Sequence, residues 1–233
     1  MVRRRSALHE SGFTLVEILV AVAILAILSA TLSPLVIKYV NDGRRARALS
    51  DAQTIGQAIL AFQVDTGLWP VSNDGDTGDA GEVSRLVGLS SANLSNANIP
   101  DGNGSGTTGA WRTGGDGGTA ASLEDHLIFN QDDNSSPLYT TSATPPDPPG
   151  WSGPYLKSVP PDPWGNPFVC NVRYLENANV NGVTVGEASS HAVMCLSAGP
   201  NLLWDTSFSD ATALSGPEGD DIGFVIQGNQ TRS

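Results

Sequence analysis

The sequence is poor in the side chains that most enzymes use for chemistry. Among 233 residues there are three histidines and two cysteines. His126 and His191 stand isolated, without a second His or Cys at ligand spacing, so packing or surface roles are the simpler reading. No Ser–His–Asp order, paired-carboxylate signature or phosphate-binding glycine loop can be read, so the chain is not expected to be an enzyme. Positive charge is scarce too. Beyond Arg47 only Arg85, Arg112, Lys157, Arg173 and Arg232 remain, against 21 acidic residues, a net charge of −16 from residue 48 onward. Such a surface repels phosphate backbones and argues against nucleic-acid partners. It suits solubility, or the binding of a cation.

Long apolar runs are lacking as well, with one exception. GFTLVEILVAVAILAILSATLSP, from Gly12 to Pro34, is nearly continuous hydrocarbon. As a helix, about twenty residues at roughly 1.5 Å each span about 30 Å, the apolar thickness of a bilayer. Arg3, Arg4 and Arg5 precede it, which predicts a cytoplasmic N-terminus with the remainder outside. Lys38, Arg44, Arg45 and Arg47 on the far side weaken that asymmetry. One charge interrupts the run, Glu17. A carboxylate in hydrocarbon costs at least about 2–3 kcal/mol, so its presence points to function. Pro34 lacks an amide proton and clashes with the preceding turn, which predicts a kink or local melting there.

The order of basic leader, Gly12–Phe13 junction, apolar helix and Glu17 resembles the N-terminus of type IV pilins and of the pseudopilins of type II secretion. An ordinary secretory signal has its apolar core before the cleavage site, whereas here the core follows it. The resemblance implies cleavage between Gly12 and Phe13 by a prepilin peptidase, N-methylation of Phe13 and assembly into a homopolymeric filament. Pro34 falls where many members of the family carry a helix-breaking proline. Cleavage would free an amine on Phe13. In a bundle of staggered helices, Glu17 of one subunit could meet that amine on its neighbour, offsetting both desolvation costs and selecting one stagger.

Downstream, Ile55, Ile59 and Phe62 recur at helical spacing, with Ala48, Ala52 and Ala58 as small packing residues and Gly67 as a stop. This predicts one long helix from Phe13 to about Asp65, bent near Pro34 and Gly43. Residues 73–150 are rich in Gly, Asp, Asn, Ser, Thr and Pro, the residues of turns and loops. Within them, EVSRLVGLS (Glu82 to Ser90) and LEDHLIFNQ (Leu123 to Gln131) read as short helices. The DGDTGD run lacks the spacing and closing Glu of an EF-hand and reads better as a solvated turn.

WSGPYLKSVPPDPWGNPFVCNVRYL, from Trp151 to Leu175, resembles the major pseudopilin signature, as VDTGLWP at Val64 to Pro70 does more weakly. Its prolines fix φ, Gly165 and Asn166 accept tight-turn geometry, and Trp151, Tyr155 and Trp164 supply aromatic surface. The strand FVCNVRYL should be followed by a second, HAVMCLSAGP. Cys170 and Cys195 are equally far from the midpoint of the connecting loop, which would set them opposite each other in an antiparallel pair. A disulfide and two buried free thiols are both open at this stage.

The tail, LSAGPNLLWDTSFSDATALSGPEGDDIGFVI, resembles the calcium loop of major pseudopilins. Calcium takes six to eight oxygens from carboxylates, carbonyls and water. The resemblance implies carboxylates from Asp220 and Asp221 and main-chain carbonyls at Leu196 and near Ser215. Asn201 stands where many members have Asp, and in this longer loop Asp205 or Asp210 could substitute. An acidic solvated loop is the simpler alternative.

These readings predict an α+β, pilin-like fold, with a long N-terminal helix packed on a small antiparallel sheet and a long loop-rich insertion. The expected parts are a cleaved leader at 1–12, the transmembrane and filament-core half-helix at 13–36 and its amphipathic half at 37–66. The insertion at 67–150 and a sheet with the calcium loop at 151–233 follow. The implied function is that of a major pseudopilin in a type II secretion pseudopilus, anchored in the inner membrane with its C-terminal domain in the periplasm. Its implied partners are copies of itself, the prepilin peptidase, minor pseudopilins and the inner-membrane assembly platform. A type IV pilus subunit, a minor tip pseudopilin and an anchored periplasmic enzyme are the alternatives. Glu17 speaks against the tip protein. The position of Cys195, well before the chain end, speaks against the pilus subunit.

Overall fold

A computed structural model describes residues 12–71, 83–104, 108–114, 119–131, 137–139, 141, 150–175, 191–209 and 216–227. The leader up to Ser11, the DGDTGD run, the loop after Leu175, Asp210 and Ser215 lie outside the described residues. The chain divides into two units, residues 1–43 and 44–233. Helix α1, Leu15–Thr66, contributes to both.

In the first unit the helix is exposed throughout, and its most apolar 18-residue window has a mean hydropathy of 2.6. Ser29 Oγ and Thr31 Oγ1 donate to the carbonyls of Leu25 and Leu28, so the two hydroxyls satisfy themselves within the helix. The helix continues through Pro34, and the local melting expected there does not occur.

In the second unit, α1 buries Ala48, Ala52, Ile55, Gly56, Ala58, Ile59 and Phe62. Besides short helical turns, the described elements are β1 (Val83–Val87), β2 (Asp101–Gly102), α2 (Ala110–Thr113), β3 (Thr119–Ser122), β4 (Val169–Cys170), β5 (Val193–Ser197), β6 (Leu203–Trp204) and β7 (Ile222–Gln227). Five strands form one sheet in the order β3-β1-β4-β5-β7, and β2 pairs with β6. Gly56 brings α1 against β7, for a Cβ there would lie 2.4 Å from the Phe224 ring. Phe62 meets Tyr139 and Tyr155 edge-on, with ring centroids 4.7 and 5.5 Å away.

The sheet is mixed, which corrects the antiparallel expectation. β1 runs parallel to β3, and the other neighbours are antiparallel. Both parallel strands come from the segment read as a loop-rich insertion. EVSRLVGLS, read as a short helix, instead contains strand β1. All five of its residues are buried, so the polar–apolar alternation of a half-exposed strand is missing. Its two polar residues are bonded: Ser84 Oγ donates to the Thr119 carbonyl, and Arg85 Nη2 to Asn96 Oδ1 at 2.7 Å. LEDHLIFNQ does contain a helical turn, Asp125–Phe129.

FVCNVRYL is a strand only at β4. Asn171 ends it by taking over strand pairing with its side chain. Its Oδ1 accepts from Met194 N at 2.7 Å and its Nδ2 donates to the Ala192 and Phe208 carbonyls, after which Val172–Tyr174 turn as a 3-10 helix. The DPWGN turn is organised by buried Asp162. Its Oδ1 accepts from Trp164 N and Asn166 N, its Oδ2 accepts from Ser197 Oγ on β5, and Gly165 takes a φ of 93°.

Cys170 and Cys195 face each other across β4 and β5 and are joined by a disulfide, 25 positions apart in the chain. Closing such a loop stabilises by about 3 kcal/mol in the chain-entropy model. For a chain of this size that corresponds to a fall of roughly 10 °C in Tm on reduction. Thermal melts with and without reductant measure it. Labelling of both thiols in the non-reduced folded chain would contradict it.

Candidate functional site

At the start of α1, Gly12 has open space where a Cβ would lie and Phe13 is 78 % exposed. Thr14 caps the helix, its Oγ1 accepting from Glu17 N at 3.2 Å. Thr14 and Glu17 stand at the spacing of a capping box, a local role for this pair that the apolar run conceals. Glu17 lies in the first turn, where a carboxylate also complements the helix dipole. Pro34 is an exposed residue within the same helix.

The second constellation is the acidic loop between β5 and β7. Asp205 Oδ2 accepts from Asp220 N and Asn201 Nδ2, each at 3.2 Å. Asp220 Oδ2 accepts from Asn201 N at 3.1 Å, and Asn201 Oδ1 accepts from Leu203 N at 2.7 Å. Behind them, buried Asp221 braces the loop, its Oδ2 accepting from Asp205 N and Thr206 N at 3.0 and 2.7 Å. Hydrogen bonding from Asp220 holds Asp205 below the usual carboxylate range. Burial raises Asp220, and burial pushes Asp221 up to about 6.

The structure therefore gathers Asn201, Asp205, Asp220 and Asp221. Leu196 stays in the central ladder, paired with Val169 and Gly223. Among the described residues no three carboxylate, imidazole or thiolate side chains stand at metal-ligand spacing. Two features nevertheless suit an oxygen-seeking cation. Asp220 Oδ1 and Asp221 Oδ1 are buried without a hydrogen-bond donor among the described residues. The backbone also leaves room for the carboxylates. Gly219, at φ 59°, lies so close to Asp205 that a Cβ would sit 2.2 Å from its Oδ2, and a Cβ on Gly199 would sit 2.2 Å from the Asp220 carbonyl. Leu202 holds a left-handed φ of 64° in the same turn, a strained conformation for a branched residue.

Of the histidines, His126 is buried, bonded through Nδ1 to Tyr139 Oη at 2.7 Å and lowered by burial to a pKa of about 3. It is a neutral core residue. His191 stacks on Tyr174 with ring centroids 4.3 Å apart.

Comparison with known proteins matches the start of the chain and a segment of its second unit that ends before the acidic loop. The prokaryotic N-terminal methylation motif matches residues 8–33, and the family described as type II secretion system protein G matches residues 131–189. The type II secretion system core protein G of Pseudomonas aeruginosa is 26 % identical over 161 residues, 69 % of this chain and 72 % of that protein. The fimbrial protein EcpC of Eikenella corrodens is 33 % identical over 64 residues, 28 % of this chain and 42 % of that one. No solved structure matches. The methylation motif, the protein G domain and the protein G relative together support a type IV pilin-like protein of the major pseudopilin kind.

Proposed function

We propose that this chain is the structural subunit of a type II secretion pseudopilus, processed between Gly12 and Phe13, methylated on Phe13, and polymerised through its apolar helix. The observation that carries this reading is the combination, in one chain, of the methylation motif on an exposed apolar helix with the protein G domain. Before assembly the helix anchors the chain in the inner membrane, with the N-terminus cytoplasmic and the C-terminal domain periplasmic. Copies of the chain, minor pseudopilins, the prepilin peptidase and the inner-membrane platform are its partners. The test is mass spectrometry of the mature protein from the native cell. The expected species begins at N-methyl-Phe13, and Gly12→Val retains the leader because a branched side chain crowds the cleavage site. A mature terminus inside the apolar helix would refute the reading.

The acidic loop is proposed to hold calcium. Asp205, Asp220 and Asp221 supply carboxylate oxygens, Asn201 Oδ1 an amide oxygen, and carbonyls and water the rest, with Leu196 and Ser215 as the main-chain candidates. Bound calcium supplies compensating charge and a cross-link among chain segments. Asp221 holds the main chain at Asp205 and Thr206 by two N–H bonds, and Asn201 joins Asp205 to Asp220.

A further inference from the structure

We infer that Asn103, on the inserted segment, is a positioning residue for the cation loop, so that the site is completed by the insertion. This rests on the calcium reading above. The inserted strand β2 lies parallel to β6, with Asp101 opposite Leu203 and Gly102 opposite Trp204. Continued by one residue, that register sets Asn103 opposite Asp205. The main chain holds it there, for Asn103 N donates to the Trp204 carbonyl at 3.0 Å. Its side-chain Nδ2 donates to Asp205 Oδ1.

Both oxygens of Asp205 are thereby held, one by the insertion and the other by Asn201 and Asp220 N. A carboxylate fixed in this way is pre-organised for a cation instead of being free to swing into solvent, and outer partners of this kind tune metal affinity. The rest of the insertion secures the contact. Trp111 stacks on Trp204 at 5.3 Å and meets Phe208 edge-on at 5.1 Å. Trp111 Nε1 donates to the Thr206 carbonyl and Trp204 Nε1 to the Pro100 carbonyl, at 2.8 and 2.9 Å. Gly102 permits the tight fold of this segment, since a Cβ there would lie 2.3 Å from Gly109 N. Arg112 binds Asp101 and the Asn96 carbonyl and closes the segment on itself without reaching Asp205.

The test is calorimetric titration of the full chain in detergent with calcium chloride. Asn103→Ala and the similarly sized Asn103→Leu are expected to weaken calcium binding about tenfold, the low end for outer-shell partners of a metal. The near-UV circular dichroism of the Trp111–Trp204 pair and the calcium-free Tm should stay close to those of the unaltered chain. Arg112→Gln loosens the same segment and is expected to change affinity less than twofold. Unchanged affinity in both Asn103 variants, with normal binding by the unaltered chain, overturns the role of Asn103 alone. Equal weakening by Arg112→Gln also overturns it, because an intact insertion would then be all that is required. Failure of the unaltered chain to bind calcium overturns the calcium reading and this inference with it.

Discussion

Calcium is expected to raise the Tm of the full chain in detergent, and Asp220→Ala with Asp221→Ala is expected to abolish that rise. A ligand that binds only the folded form stabilises by about 2.7 kcal/mol at a hundred times its dissociation constant. At roughly 2–4 °C per kcal/mol, this is a shift of about 5–10 °C. The sign in the absence of calcium separates the two aspartates. Asp221 accepts N–H bonds from Asp205 and Thr206, so its truncation orphans two donors, costs about 1–3 kcal/mol of calcium-free stability per donor and lowers the calcium-free Tm. Asp220 instead faces Asp205 at close range. Asp220→Asn, which relieves the like-charge contact and keeps an acceptor for Asn201 N, should leave the calcium-free Tm unchanged or raise it while losing the calcium response. Sodium chloride at matched ionic strength is the control, since screening also relieves carboxylate repulsion. A shift of the same size in salt alone, or in the double variant, would show an acidic loop without a calcium site.

How far the fold was legible in the sequence depended on whether residues signalled through local periodicity or through distant partners. The helix was legible because its apolar run and the Ile55–Ile59–Phe62 spacing are local. The match of Cys170 to Cys195 was legible because a single loop joins two neighbouring strands. β1 was not, because a fully buried strand loses alternation and VSRLV then fits helix and strand alike. The parallel pairing of β1 with β3 was hidden in turn-rich sequence. Asp162 and Asn171 also escaped notice. A buried Asp or Asn that replaces backbone pairing looks, in sequence, like any other turn residue, and a proline on either side of Asp162 drew the reading to backbone φ alone. In the acidic loop, Asp220 and Asp221 could be read from the terminal DDI. Asp205 could be named only as an alternative to Asp210, because its closeness depends on Gly219 leaving room and on a strand from the insertion lying beside Trp204.

Glu17→Ala is expected to enter the membrane at least as well as the unaltered chain but to yield at least about tenfold fewer filaments. Removing a carboxylate from the apolar run lowers the insertion cost by about 2–3 kcal/mol. The opposing loss, that of an acid in the first helical turn, is about 0.3–1 kcal/mol, so insertion wins. Assembly is different. If Glu17 pairs with the Phe13 amine of a neighbouring subunit, its removal leaves that amine buried without a partner, and each 1.4 kcal/mol lost is already tenfold in the contact equilibrium. The capping of Glu17 N by Thr14 Oγ1 offers a rival explanation, that assembly needs only an intact helix start. Two further variants separate these. Thr14→Val removes the cap, at a cost of about 1 kcal/mol, and leaves the charge pair. Glu17→Gln removes the charge and keeps the side chain's size. Pairing requires filaments from Thr14→Val and their loss in Glu17→Gln, counted by electron microscopy of sheared cells against the amount of subunit in the membrane fraction. Equal loss in both variants would assign the effect to the helix terminus, and normal filaments from Glu17→Ala would remove the pair from the assembly mechanism.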